Sequence, residues 1–169
     1  MQTRVHTITN MRFIATGFTL VELSLVLAIV AVLSAIAIPR YANAQSRYQA
    51  DSAALRIKND IELIRKSAMQ ASQSRELLIS TDLNEYHLIN VKDLDKGVTK
   101  YSVDLGNATY QADLVSAFGT LRDYSGRKFL SVTFDGFGKP NAGGNIVIAI
   151  GDQQRTISLD VDTGKVVVR

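Results

Sequence analysis

The sequence predicts an α+β fold: one long N-terminal helix, apolar in its first half and amphipathic in its second, packed on an antiparallel β domain. Three observations carry this. From Phe18 to Ile38 run 21 residues whose only charge is Glu22. After Pro39 apolar residues recur at spacings of three and four. From about Arg75 the periodicity falls to two and turn residues punctuate it.

The first segment, residues 1–17, has Arg4 and Arg12 as its only full charges. By the positive-inside rule they hold the N-terminus in the cytoplasm and send everything after the apolar stretch across the membrane. In an ordinary secretory signal the apolar region precedes the cleavage site and is lost; here the small residue Gly17 precedes it, so cleavage after Gly17 keeps it. At about 1.5 Å per residue, a helix over 18–38 spans roughly 30 Å, the thickness of a bilayer's hydrocarbon core. Glu22 within it is expensive and requires a partner. Cutting between Gly17 and Phe18 would create an α-amine at the membrane edge, to which the Glu22 of a neighbouring copy could pair. Ala28, Ala31, Ser34, Ala35 and Ala37 are small enough to let helices approach closely.

Pro39 removes a helix hydrogen bond and clashes with the preceding turn, so a kink is expected, with the helix resuming over 39–74. Tyr41, Ala44, Tyr48, Ala54, Ile57, Ile61, Ile64 and Ala68 form its apolar stripe, with charged residues between them. Residues 75–169 read as a β-rich globular domain. Strands are expected at Glu76 to Ser80, Glu85 to Val91, Thr99 to Leu105, Thr109 to Leu114, Phe129 to Phe134, Asn145 to Ile150, Arg155 to Asp160 and Val166 to Val168. Two hairpin connections are signposted, one at the Gly-rich run from Asp135 to Gly144 and one at Asp162-Thr163-Gly164-Lys165.

Composition narrows the function. The chain holds 19 Lys+Arg against 16 Asp+Glu; without residues 1–17 the balance is 17 against 16. Total charge therefore supports no polybasic role. The absence of cysteine excludes disulfides, thiolate metal sites and a cysteine nucleophile, although a compartment beyond the inner membrane permits disulfides.

Gly17 followed by Phe18-Thr19-Leu20-Val21-Glu22-Leu23, with Pro39 closing the apolar run, resembles the prepilin signature of type IV pilins and type II secretion pseudopilins. The resemblance implies removal of residues 1–17 by a prepilin peptidase, N-methylation of Phe18, and Glu22 as the residue that registers subunits in assembly. Its implied partners are other pilin or pseudopilin subunits, the peptidase, an inner-membrane assembly platform and, before assembly, membrane lipid. The implied location is the inner membrane, crossed once with the C-terminal domain in the periplasm, and then a pilus or pseudopilus. Phe134 and Gly138, the glycines before Asn145-Ile146-Val147-Ile148, Arg155-Thr156-Ile157-Ser158-Leu159 and Thr163-Gly164-Lys165-Val166 resemble the GspH/FimT group of minor pilins and pseudopilins. That group implies a low-abundance subunit at the filament tip or at initiation.

Competing chemistry is sparse. His87 is the single histidine after residue 17, and no nucleophile elbow accompanies it, so it reads as a surface strand residue rather than a catalytic base. Asp160-Val161-Asp162-Thr163-Gly164 opens like a calcium loop, but Val166 to Val168 occupy the place of the later bidentate acid, leaving a hairpin turn as the simpler reading. The rival function, implied by the resemblance to FimT-like minor pilins, is DNA binding for uptake, through Arg122, Arg127, Lys128, Lys165 and Arg169 if they converge; it would be weak and strongly salt-dependent. The sequence calls for no enzyme activity and no cofactor. It points to a structural assembly subunit.

Overall fold

The computed structural model describes residues 17–92 and 101–169. The chain falls into two units divided after Arg40. Element order is one helix followed by nine strands, the α+β class expected from the sequence. Helix α1 (Leu20–Ala71) continues through Pro39. It stops three residues before the expected Ser74 because Ser72 turns left-handed at φ 48°. The Gln73 amide then donates to the Ala68 carbonyl at 3.2 Å, the bond that closes a helix C-terminus.

In the second unit, Ala50, Ala53, Ala54, Ile57, Ile61, Ile64 and Ala68 of α1 are buried in a single core. Their spacing of three and four places them on one face, as the amphipathic reading required. The expected start of that stripe is corrected: Tyr41 and Tyr48 are 74% and 75% exposed. They lie out of phase with the face that begins at Ala50, so no strand covers them.

The single antiparallel sheet expected from the sequence is two sheets. The first orders β3 (Tyr101–Asp104), β2 (Glu85–Ile89), β1 (Arg75–Ser80), β6 (Arg127–Phe134) and β5 (Thr120–Tyr124) side by side. The second orders β4 (Asp113–Ser116), β7 (Gly144–Ile150), β8 (Gln153–Leu159) and β9 (Val166–Val168). All pairings are antiparallel. Ile57 and Ile61 of the helix meet Leu77, Ile79 and Tyr86 of the first sheet and Leu114 and Ile146 of the second around a void of about 10 Å³. That is room for about one water, so the three layers are closely packed.

Asn84, left-handed at φ 52°, ties the sheets together. Its side-chain oxygen accepts from the Leu114 amide at 2.8 Å, its Nδ2 donates to Asp113, and its carbonyl accepts from the Leu105 amide. The Gly-rich run from Asp135 to Gly144 is therefore not a hairpin connection. It carries the chain from β6 in one sheet to β7 in the other. Asp135 shapes it, one carboxylate oxygen accepting from the amides of Phe137 and Lys139.

The expected strand from Thr109 to Leu114 begins later, at Asp113, because Asn107 captures the preceding residues. Its side chain accepts from the Thr109 and Tyr110 amides and its carbonyl from the Gln111 amide, which makes a turn. Strand β5 is not anticipated by the sequence reading: it is an edge strand with exposed positions on both faces, so it has no alternation to read. The strand expected from Glu85 stops at Ile89, since Asn90 is left-handed at φ 62°. Of the strand expected over 99–105, residues 99 and 100 lie outside the described residues. The turn before β9 is as expected, with Gly164 at φ 63° and its amide bonded to the Asp160 carbonyl at 2.9 Å.

His87 requires a correction. It is 4% exposed, not a surface residue. It lies on the sheet face opposite the core residues Tyr86 and Leu88, and that second face is partly covered by Tyr124 and Phe129 of the β5–β6 hairpin, whose rings lie 6.2 and 5.3 Å from the imidazole.

Candidate functional site

Thr19 and Glu22 sit at the start of α1. The Thr19 hydroxyl accepts from the Glu22 amide at 3.2 Å, and the Thr19 carbonyl accepts from the Leu23 amide at 3.1 Å. Thr19 is thus the N-cap, and Thr-Leu-Val-Glu has the spacing of a capping box. An acid in the first turn also complements the positive end of the helix dipole. Glu22 therefore has a local job in addition to any partner. The signal for this cap is in the sequence: a threonine three residues before a glutamate and an apolar run.

Around these residues the apolar side chains are uncovered. Phe18, Leu20, Val21, Leu23, Leu25, Leu27 and the aliphatic residues on to Ile38 are exposed on every side of the helix. The stretch is long and apolar enough to cross a membrane, with mean hydropathy 2.6 and none of it buried. At about 25 cal/mol per Å² of apolar surface, such a segment in water carries a penalty of many kcal/mol. Lipid or neighbouring helices would relieve that penalty. Residues 1–16, with Arg4, His6 and Arg12, lie outside the described residues.

The other candidates are dispersed. Arg122, Arg127 and Lys128 share the β5–β6 hairpin, but the cross-strand pairs Arg122↔Phe129, Tyr124↔Arg127 and Asp123↔Lys128 put Lys128 on the face opposite the two arginines. The Arg122 guanidinium is bonded to Glu76, whose other oxygen accepts from the Ser131 hydroxyl at 2.5 Å. Lys165 and Arg169 belong to the other sheet, where Arg169 exchanges two backbone hydrogen bonds with Thr156 at 2.9 Å. The five cations are therefore divided between two sheets, and one of them is held by a carboxylate.

Asp160 and Asp162 serve the β8–β9 turn. One Asp160 oxygen accepts from the amides of Asp162 and Thr163 and from the Thr163 hydroxyl. These bonds, the Thr163 amide foremost, hold its carboxyl below the usual aspartate range. Asp162 faces Lys139 at 3.8 Å. Among the described residues no cluster of histidine, aspartate and glutamate is arranged to hold a metal ion.

The most organised polar group in the protein was not anticipated. Asp60, 5% exposed on the core face of α1, accepts from the hydroxyls of Tyr86 at 2.5 Å and Tyr101 at 2.9 Å and from Arg56 Nε at 3.1 Å. Burial first, and the Asp60 charge second, push the Tyr86 and Tyr101 hydroxyls above their ordinary values. The signal in the sequence was an acid beside Ile57, Ile61 and Ile64 in the apolar register. The group buries no cavity for a reactant; it fixes the helix against β2 and β3.

No known protein-family model matches the chain, and no curated protein matches it. Among solved structures, the crystal structure of the type IV minor pilin FimU of Pseudomonas aeruginosa is similar, at 16% sequence identity and a TM-score of 0.47, over 73% of this chain and 90% of that one.

Proposed function

We propose that the protein is a minor pilin or pseudopilin: a subunit cleaved after Gly17, N-methylated on Phe18, held in the inner membrane by residues 18–38 and then docked into a helical filament. The observation that carries this reading is the conjunction, at one helix start, of Gly17, Phe18, Glu22 and an apolar surface that is exposed among the described residues. Function is exerted by docking, not by turnover. Leaving the bilayer is offset by reburying the same apolar helix among neighbouring helices, and pairing Glu22 with the Phe18 amine of a neighbour removes an unpaired charge.

The capped start of α1 supports that division of labour. Thr19 satisfies the Glu22 amide locally and so fixes the first helical turn that carries Glu22. Glu22→Gln keeps a polar side chain at the same place while losing the charge. Under this reading it leaves membrane insertion and cleavage intact and strongly reduces recovery in sheared filament fractions. Wild-type recovery of the variant in filaments would remove the pairing role.

A further inference from the structure

The first sheet has a second face, turned away from α1, and it carries a depression of about 350 Å³. That volume lies at the lower end of the range for small-molecule sites, about 300–1,000 Å³. Its floor and wall are aromatic: Phe129 is buried, Tyr124 meets it edge-on at 5.9 Å, and His87 lies 5.3 Å from it. Cross-strand register puts all of these on one face with Glu85, Ser102 and Arg127, since His87 pairs with Ser102 and Tyr124 with Arg127. His87 Nε2 faces Glu85 at 3.3 Å.

The polar groups at the rim define the ligand. A cation would gain from Glu85 and the ring faces but meets the Arg127 guanidinium. An anion would gain from Arg127 but meets Glu85. A neutral ligand rich in hydroxyls uses both, donating to the carboxylate and accepting from the guanidinium and the serine hydroxyl. The aromatic wall then favours a ring with an apolar C–H face. We propose that this depression binds a neutral saccharide unit, with a pyranose ring against Tyr124, which the buried Phe129 backs, and its hydroxyls bonded to Glu85, Arg127 and Ser102.

The site is testable on the full chain in a detergent without a sugar headgroup. The probes are the methyl glycosides of glucose, galactose and N-acetylglucosamine, read by saturation-transfer NMR and by titration of tyrosine fluorescence, with glycine as a zwitterionic comparison. Saturable binding of at least one glycoside is expected. Affinity should fall about tenfold in Tyr124→Ala, the loss of about one stacking contact. Arg127→Ala, at the exposed hairpin end, should weaken it with the circular dichroism spectrum unchanged, which covers the case in which Tyr124→Ala fails to fold. Leu121→Ala, on the opposite face of the same strand, should leave it unaltered. No saturable glycoside binding, binding that survives Arg127→Ala, or saturable binding of glycine instead would each overturn the assignment.

Discussion

The Tyr86 hydroxyl donates to the Asp60 carboxylate at 2.5 Å, and this bond joins the helix to β2 of the first sheet within an otherwise apolar core. Tyr101 and Arg56 complete the set, so every oxygen of the buried carboxylate is engaged. A fully satisfied polar group of this kind adds little net energy over an apolar replacement but penalises any other register of helix on sheet.

Removing one partner is therefore costly. Asp60→Ala leaves two tyrosine hydroxyls and a guanidinium without their acceptor and should destabilise the fold by about 3 kcal/mol. Tyr86→Phe leaves the carboxylate with its other donors and should cost about 1.5 kcal/mol. Denaturant unfolding followed by far-ultraviolet circular dichroism measures both. Equal and small effects would mean that the group contributes nothing to register.

The same tyrosines make stability depend on alkaline pH. Their folded pKa values are raised above 10.0 by burial and by the Asp60 charge, so the folded state retains protons that the unfolded chain releases. The stability they contribute is complete below about pH 10 and falls as pH rises above it toward their folded values. The unfolding midpoint should drop over that window, and the drop should be shallower in Tyr86→Phe. A wild-type slope unchanged by that substitution would contradict the assignment.

Gly136 lets the crossing loop close on the helix end. A Cβ there would stand 2.9 Å from the Ser72 carbonyl carbon and 3.0 Å from its oxygen, both backbone atoms that cannot rotate away. Gly136→Ala should destabilise by about 2 kcal/mol through forced displacement of the loop or the left-handed Ser72 cap. Loss of protection of the Gln73 amide in hydrogen exchange would locate the damage.

Much of this architecture was legible because its signals are periodic. The spacing of Ala54, Ile57, Ile61, Ile64 and Ala68 and the alternation of Ile146, Ile148 and Ile150 each report a buried face directly. What escaped was non-periodic or relational. Strand β5 is exposed and made a strand by pairing with β6, so its own residues carry no pattern. The division into two sheets depends on Asn84 and on a loop that crosses between layers, which local turn chemistry does not distinguish from a hairpin. His87 alternates like a surface residue, and its burial comes from Tyr124 and Phe129, far along the chain. At the N-terminus the reverse held: Gly17, Phe18 and Glu22 were conspicuous in the sequence, because a lone acid in an apolar helix needs no tertiary context to stand out.

Under the proposed function the apolar helix is retained behind a cleaved leader and used for assembly. Intact mass and N-terminal sequencing of the protein from membranes, with and without an active prepilin peptidase, distinguish this from a plain anchor. A chain beginning with methylated Phe18 is expected when the peptidase is active, and one beginning at Met1 when it is not. A chain that still begins at Met1 in the presence of active peptidase would contradict it and leave a plain membrane anchor.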